Sequence, residues 1–252
     1  ELEARTAGWV RSLAPRLLRA PRERLGQELL RLVTAAGSEH GFRALLDLGL
    51  LARAAPEPRR CDAAWLDRNL DAAARLKPRA HPLPSALREA GDAPALAFLL
   101  RAWGSPHADA VASYAWPRTV RHDAARAASM LDETLTVVAA PAAERRAFIH
   151  RAGASFPAVL AIAAVLEPGR SWARWWRLWS GHGRDLVEPE PLLPGEEVGA
   201  LLAIPPGPDL GRALDALTEA QVRGDVRTKR GAERWLRSFA KRRRLNAETL
   251  AP

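Results

Sequence analysis

Apolar residues recur with helical spacing along almost the whole chain. In segment 22–33, Leu25, Leu29, Leu32 and Val33 fall on one face of a helix. Pro21 stands just before this segment, where a proline interrupts no helical hydrogen bond. No segment alternates apolar and polar positions as a half-buried strand does, and no Asn-Gly or Asp-Gly hairpin turn occurs. The pattern predicts an all-α fold, with a multi-helix body followed by a small helical tail module.

Glycine and proline punctuate the predicted helices. Gly37 ends the first helix, Gly41 leads into the next, and Pro56 follows that second helix. The spacing predicts helices over residues 22–33, 42–55, 62–76, 84–90, 94–103, 120–139, 142–152, 157–166, 170–179, 209–223 and 229–243.

A dense run of Pro and Gly divides the chain. Residues 181–208 include Glu-Pro-Glu-Pro-Leu-Leu-Pro-Gly and Ile-Pro-Pro-Gly-Pro, a composition that does not sustain a long helix. We therefore predict a helical body over 1–180, a Pro/Gly-rich connection over 181–208 and a basic helical tail over 209–252.

Composition narrows the class of protein. The chain has 252 residues, of which 48% are hydrophobic, so it is long enough to bury a substantial core. A single Cys excludes a disulfide scaffold and favours a reducing compartment. The longest apolar stretch, 156–166, is too short to span a bilayer, and residues 1–5 show no signal-peptide pattern. We expect a cytoplasmic protein with no membrane partner.

Motifs for catalysis are missing from the sequence. It contains no Gly-rich phosphate loop, no Gly-x-Ser-x-Gly and no Asp-x-Asp pair after a Gly-Ser or Gly-Gly turn. Cys61 follows Arg59-Arg60, which could lower a thiol pKa, but a plain helix-start cysteine explains it as well. His122-Asp123 could belong to a metal dyad, yet no His-x-x-x-His spacing supports it, and a solvated helix start is the simpler interpretation. The chain taken alone is therefore not expected to be a catalyst.

Positive charge is concentrated near the C-terminus. The net charge is +9, and segment 227–244 contains nine basic residues against one acidic residue, Glu233. Arg230, Arg234, Arg237 and Lys241 are spaced four, three and four residues apart, which places them on one helical face, while Trp235 and Phe239 point elsewhere and would dock the helix. Such a stripe suits phosphates. A solvated terminal helix with no ligand is the alternative.

A second cluster is aromatic. Trp172, Trp175, Trp176 and Trp179 share one helical face, with Arg174 and Arg177 between them. Stacking on nucleic-acid bases would use such a pattern. We favour a core role, because an aromatic stripe at helical spacing more often packs a helix against its neighbours.

Four stretches resemble the region that follows the catalytic head in bacterial tRNA nucleotidyltransferases (CCA-adding enzymes) and related poly(A) polymerases. Segment 17–32, containing Glu-Arg and then Glu-Leu, resembles the neck helix of this family. Segment 41–57, ending in Ala-Pro-Glu, is similar to a segment closing in Leu-Pro-Glu. Segment 145–153 resembles a later body helix, and segments 193–211 and 221–228 resemble the tail.

The family's head motifs, a Gly-Ser turn, Asp-x-Asp and Glu-Asp-x-x-Arg, do not occur in this sequence. Relatives also carry His-Asp in a Leu-Leu-His-Asp-x-Gly-Lys segment. The corresponding stretch, 98–105, has Arg101 and Ala102 instead, so we expect a degenerate HD-like portion over about 84–166 with no metal chemistry. The resemblance implies no cofactor in this chain and places Mg²⁺ only in a head.

The resemblance implies that this chain positions tRNA, or another structured RNA, while a head domain in cis or in trans adds nucleotides to the 3′ end. It implies a nucleotidyltransferase as the parent protein, and leaves CCA addition and poly(A) synthesis equally open. The residues predicted to contact RNA are basic side chains of the tail: Arg227, Lys229, Arg230, Arg234, Arg237 and Lys241, then Arg212 and Arg223. The helix start at 208–211 could also offer N–H groups to a phosphate. The alternative is a non-catalytic helical protein–protein interaction module derived from the same family.

Overall fold

The computed structural model describes residues 3–35, 38–56, 61–104 and 109–249, with side chains for all of these except Leu18, Ala110 and 243–249. Gly37, Glu57, Arg59, Arg60, Ser105 and His107 lie outside the described residues, as do the side chains of Arg243 and Arg244. Within the described ranges every regular element is a helix and no strand occurs, so the all-α prediction is confirmed.

The α-helices are α1 (Ala4–Leu13), α2 (Arg22–Thr34), α3 (Ser38–Asp47), α4 (Leu51–Ala54), α5 (Ala63–Arg68), α6 (Leu70–Ala74), α7 (Pro84–Ala90), α8 (Ala93–Ala102), α9 (Arg118–Val137), α10 (Ala142–Ala152), α11 (Phe156–Leu166), α12 (Ala173–Val187), α13 (Gly195–Leu202), α14 (Pro208–Arg223) and α15 (Lys229–Thr249). Short 3₁₀ segments cover Ala14–Arg19, Asp109–Tyr114 and Gly153–Ser155.

The helices group into two compact units. The first unit contains Glu1–Val138 and Ala152–Arg177, and the second contains Ala139–Arg151 and Leu178–Pro252. These divisions fall at other positions than the predicted body, connection and tail. In particular, α10 groups with the C-terminal helices, and the stretch predicted as a connection contains the end of α12 and all of α13.

Two almost wholly apolar helices form the centre of the first unit. In α8 and α11 nearly every side chain is buried, as expected for helices that are hydrophobic all round. The amphipathic α9 packs against both of them through a face that includes Ala124, Ala128 and Leu131. Small alanines on that face allow close helix packing, which explains the high alanine content of this part of the chain.

An aromatic cluster lies beside α2 in the same unit. The rings of Tyr114 and Trp116 stack at 5.0 Å between centroids, and Trp103 lies 5.9 Å from Tyr114. Their polar atoms are satisfied by main-chain carbonyls: the indole N–H of Trp103 donates to Leu51, and that of Trp116 donates to Gly26. This cluster therefore fixes α2 against the 3₁₀ segment Asp109–Tyr114.

The second unit has its own core, formed by α13, α14 and α15. Buried apolar residues from all three helices and their connections form it: Leu193, Val198, Leu202, Ala213, Leu217, Ala220, Val226, Ala232 and Leu236. Gly224 ends α14 in the left-handed conformation, with φ of +91°, and the following N–H of Asp225 bonds back to Ala220 at 2.9 Å. This C-cap is a glycine motif that turns the chain toward α15.

Helix bounds depart from the sequence prediction in several places. The single helix predicted over 62–76 is divided at Asn69 into α5 and α6, and α1 and α13 were not predicted. The single helix predicted over 42–55 is wrong: Gly49, with φ of +66°, separates α3 from the short α4, because a left-handed residue ends a helix. The prediction over 170–179 is too short, since α12 runs through Gly181 and Gly183 to Val187.

A continuous helical stretch, Ala142–Leu166, has the length and apolar composition of a membrane span, but most of its apolar window is buried inside the structure. Most of its apolar side chains thus pack in the protein interior.

Candidate nucleic-acid interface

The basic helix α15 is held in place by its apolar face. Ala232 and Leu236 are fully buried, and Trp235 and Phe239 pack against the core of the second unit with their rings stacked at 5.2 Å. The prediction that Trp235 and Phe239 dock this helix is confirmed. Burial of Ala232 and Leu236, together with the packing of Trp235 and Phe239, fixes which side of α15 faces solvent.

The opposite side of α15 carries a row of cations, which we call the basic face: Arg230, Arg234, Arg237 and Lys241. All four side chains are exposed, and none forms an ion pair with another side chain that the structure describes. At a rise of about 1.5 Å per residue, the row is about 16 Å long, with neighbouring charges about 5–6 Å apart along the axis. An unneutralised row of this kind attracts a polyanion.

The other predicted contact residues are mostly neutralised within the protein. Lys229 pairs with Glu197 at 2.6 Å, and Arg212 pairs with Asp209 at 2.5 Å one turn earlier in α14. Arg223 is bound by Glu144 and lies 3.8 Å from both Glu219 and Asp225. Its hydrogen bond to Glu144 raises the pKa of Arg223 further above its ordinary value. These three side chains therefore have less charge to offer a ligand than the basic face has.

Arg227 lies between these two groups. Its Nε–H donates to the carbonyl oxygen of Gly224 at 3.1 Å, and its side chain is exposed without an ion pair among the described side chains. Arg227 thus extends the unneutralised charge to the turn that precedes α15.

Pro208–Gly211 forms the first turn of α14, as predicted, but Asp209 occupies that turn and pairs with Arg212. A carboxylate at a helix N-terminus already offsets the positive end of the helix dipole. The turn therefore offers an anion less than a bare helix start would.

The tryptophan cluster is largely interior. Trp172 and Trp175 are buried, whereas Trp176 and Trp179 are partly buried. Trp175 stacks on Phe156 with centroids 6.1 Å apart, and its indole N–H donates to Val138 at 3.2 Å. The predicted core role is confirmed for Trp172 and Trp175, and their burial leaves no face for base stacking there.

Arg101 and Ala102, which the resemblance aligns with a His-Asp pair, have structural contacts. Arg101 forms an ion pair with Asp132 at 3.1 Å, and its guanidinium lies 5.8 Å from the Trp65 ring centroid, while Ala102 is buried. Asp123 accepts a hydrogen bond from Ser155 at 2.6 Å. Within the described ranges no group of three or more His, Cys, Asp or Glu side chains could hold a metal ion.

Cys61 is half-buried, and this burial is the main cause that raises the pKa of its thiol. The nearby negative charge of Asp62 raises the pKa further. A raised thiol pKa lowers the thiolate fraction, which is opposite to what a nucleophile needs.

Sequence reasoning did not predict the carboxylates that neutralise the tail. Glu144 lies 79 residues from Arg223, and Glu197 lies 32 residues from Lys229. Such pairs depend on how helices pack, and no local spacing signals them.

The protein is all-helical over its described residues, and the basic face is an unneutralised row of cations of the kind that attracts a polyanion. Comparisons with known proteins find partial matches. Residues 1–61 match the family model described as "Probable RNA and SrmB- binding site of polymerase A".

Two curated relatives also match. The CC-adding tRNA nucleotidyltransferase of Thermus thermophilus is 53% identical over 53 residues, which is 21% of this chain and 12% of the relative. The A-adding tRNA nucleotidyltransferase of Deinococcus radiodurans is 31% identical over 130 residues, which is 47% of this chain and 30% of the relative. The chain thus spans less than a third of either relative, and no solved structure matches it.

Segments of the chain are thus similar to tRNA nucleotidyltransferases and to a region of polymerase A. Because the matched family region is described as a probable binding site for RNA and SrmB, the comparisons support RNA as a kind of partner.

Proposed function

We propose that this chain binds tRNA, or a structured RNA like it, and positions its 3′ end for nucleotide addition by a head domain in cis or in trans. The observation that carries the proposal is the basic face of α15, four exposed cations in a row with no ion pair among the described side chains. The match of residues 1–61, which lie outside α15, supports RNA as the polyanion, because that family model is described as a probable binding site for RNA and SrmB.

Phosphate contacts explain how such a face would work. Arginine donates two parallel hydrogen bonds to a phosphate, and contacts of this kind fix the position of a nucleic acid without reading its sequence. A-form RNA is recognised mainly by its shape and backbone, so a positioning surface needs no base-reading side chains. The described residues would bind and orient the RNA, while Mg²⁺ and the nucleotide-addition chemistry would belong to the head. We place this activity in the cytoplasm.

The alternative, a protein–protein interaction module, predicts an exposed apolar surface at the tryptophan cluster. Burial of Trp172 and Trp175 speaks against that surface. The charge geometry and the burial together favour RNA.

Charge reversal on the basic face tests the proposal. The triple variant Arg230→Glu, Arg234→Glu, Arg237→Glu should weaken tRNA binding on the order of 100-fold and reduce the magnitude of the log–log salt slope by about two. A matched control changes three exposed arginines of the first unit by the same charge: Arg68→Glu, Arg88→Glu, Arg118→Glu. Affinity is measured by filter binding, and far-UV circular dichroism checks the fold.

The control triple should lose much less affinity than the α15 triple, because its three arginines lie outside the residues proposed to contact RNA. Equal losses in the two variants would reduce the effect to net charge and contradict a site on α15. Unchanged affinity in the α15 triple would contradict it outright.

A further inference from the structure

We infer that Arg146 and Arg227 form a second anion site in the C-terminal unit, one that takes a single phosphodiester group of the RNA backbone. The inference rests on the proposed function, because RNA supplies the phosphate. It adds Arg146, which no sequence pattern singles out, and assigns Arg227 to a specific partner.

The geometry centres on Gly224. A methyl group at this glycine would lie 2.9 Å from Nη1 of Arg146 and 3.4 Å from Nη2 of Arg227. The two nitrogens are therefore no further apart than the sum of these distances. Two guanidinium groups, one from α10 and one from the turn before α15, converge over the end of α14.

Neither arginine is neutralised by the described part of the chain. Arg146 and Arg227 form no ion pair with a described carboxylate. The nearby acidic groups Glu144, Glu219 and Asp225 surround Arg223 instead. Two like charges held this close repel each other, and a bound anion between them would replace that repulsion with two attractions.

Both side chains are available to a ligand. Arg146 lines a cleft of about 190 Å³ together with His182 and Asp185, and Asp185 forms no ion pair with it. Arg227 is exposed, and its Nε–H bond to Gly224 fixes the side chain while leaving the terminal nitrogens to donate elsewhere. A phosphate accepts bidentate bonds from arginine, which suits two forks that meet at one point.

The site continues the basic face. Arg227 precedes Arg230 by three residues. An RNA backbone lying along α15 would therefore reach the Gly224 turn, which precedes this helix. Arg146 and Arg227 would then together bind the next phosphate beyond the row.

A double-mutant cycle tests the shared phosphate. tRNA affinity is measured for the wild type, Arg146→Ala, Arg227→Ala and the double variant. Arg184→Ala is the matched control, because it removes an exposed arginine of α12 in the same unit. Each single variant should lose about tenfold in affinity, and the double variant should lose clearly less than the product, because one phosphate contact is lost in all three. The Arg184→Ala protein should lose less than either single variant.

The inference would be overturned if the affinity loss of the double variant equalled the product of the two single losses. It would also be overturned if neither single variant lost more affinity than Arg184→Ala. In either case, wild-type tRNA binding that still depends on the basic face leaves the proposed function standing. Absence of tRNA binding by the wild type would instead contradict the proposed function itself, so the two failures are distinguishable.

Discussion

Gly26 allows α2 to lie directly against the main chain at Tyr114. A methyl group on Gly26 would collide with the carbonyl oxygen of Tyr114 and lie 2.8 Å from its carbonyl carbon and 2.7 Å from its Cβ. The obstacle is backbone, which is packed beneath the stacked rings of Tyr114 and Trp116. Gly26→Ala should therefore destabilise the protein, although alanine is the better helix former.

Two costs and one gain set the expected change in the free energy of unfolding. Overpacking against backbone costs about 1–3 kcal/mol. A shift of α2 would also weaken the hydrogen bond from Trp116 to the Gly26 carbonyl, 2.6 Å long, at a cost of about 1 kcal/mol. Replacing glycine inside a helix offsets roughly 0.5–1 kcal/mol of this. We expect a net loss of about 2 kcal/mol, hence a Tm lower by about 4–8 °C.

The assay is thermal unfolding followed by far-UV circular dichroism, with Gly8→Ala as the matched control. Gly8 is also helical and belongs to the same unit, but a methyl group there meets nothing within 4 Å. Its replacement should leave stability unchanged or raise it by up to about 1 kcal/mol. If Gly26→Ala and Gly8→Ala melted at the same temperature, the close approach of α2 to Tyr114 would be refuted.

Two further predictions concern buried side chains. Trp175→Ala should lower the free energy of unfolding by about 3–5 kcal/mol in urea titrations. Trp175→Phe should lower it by less, because Phe keeps the stack on Phe156. A loss below about 1 kcal/mol for Trp175→Ala would contradict a core role. Burial lowers the pKa of His81, whose ring bonds to the carbonyl of Ala161 at 3.1 Å and accepts from the N–H of Leu83 at 2.8 Å. As pH falls, His81 is protonated in the unfolded chain before it is protonated in the folded protein. The free energy of unfolding should therefore fall as pH drops through about 6.5 toward the lower pKa of folded His81, by up to about 1.4 kcal/mol per pH unit. The His81→Asn variant should lose this component of the slope, and an unchanged slope would show that His81 does not cause it.

Much of the fold follows from local signals. Helices α7 and α10 begin and end where the sequence predicts, because Pro84 and Pro141 mark their starts and Gly91 and Gly153 follow their ends. The basic face was also predictable, since four cations at helical spacing need only the helix to form. Docking of that helix by Trp235 and Phe239 follows from the same periodicity.

Features that depend on packing were not predictable. The apolar spacing continues across Gly49, so nothing in the pattern separates α3 from α4 until the left-handed turn is seen. Neutralisation of Arg223 by Glu144 requires α10 to lie beside α14, and no spacing in the sequence indicates it. The same packing brings Arg146 to Arg227, which explains why the candidate site includes an arginine outside the tail.

The most direct test of the central claim is a salt titration of binding to intact tRNA, with an unstructured RNA of equal length measured in parallel. Four phosphate contacts on the basic face predict a log–log slope of about −3 for tRNA, together with tighter binding to tRNA than to the unstructured RNA. Equal and weak binding of both RNAs would contradict the claim and turn attention to protein partners.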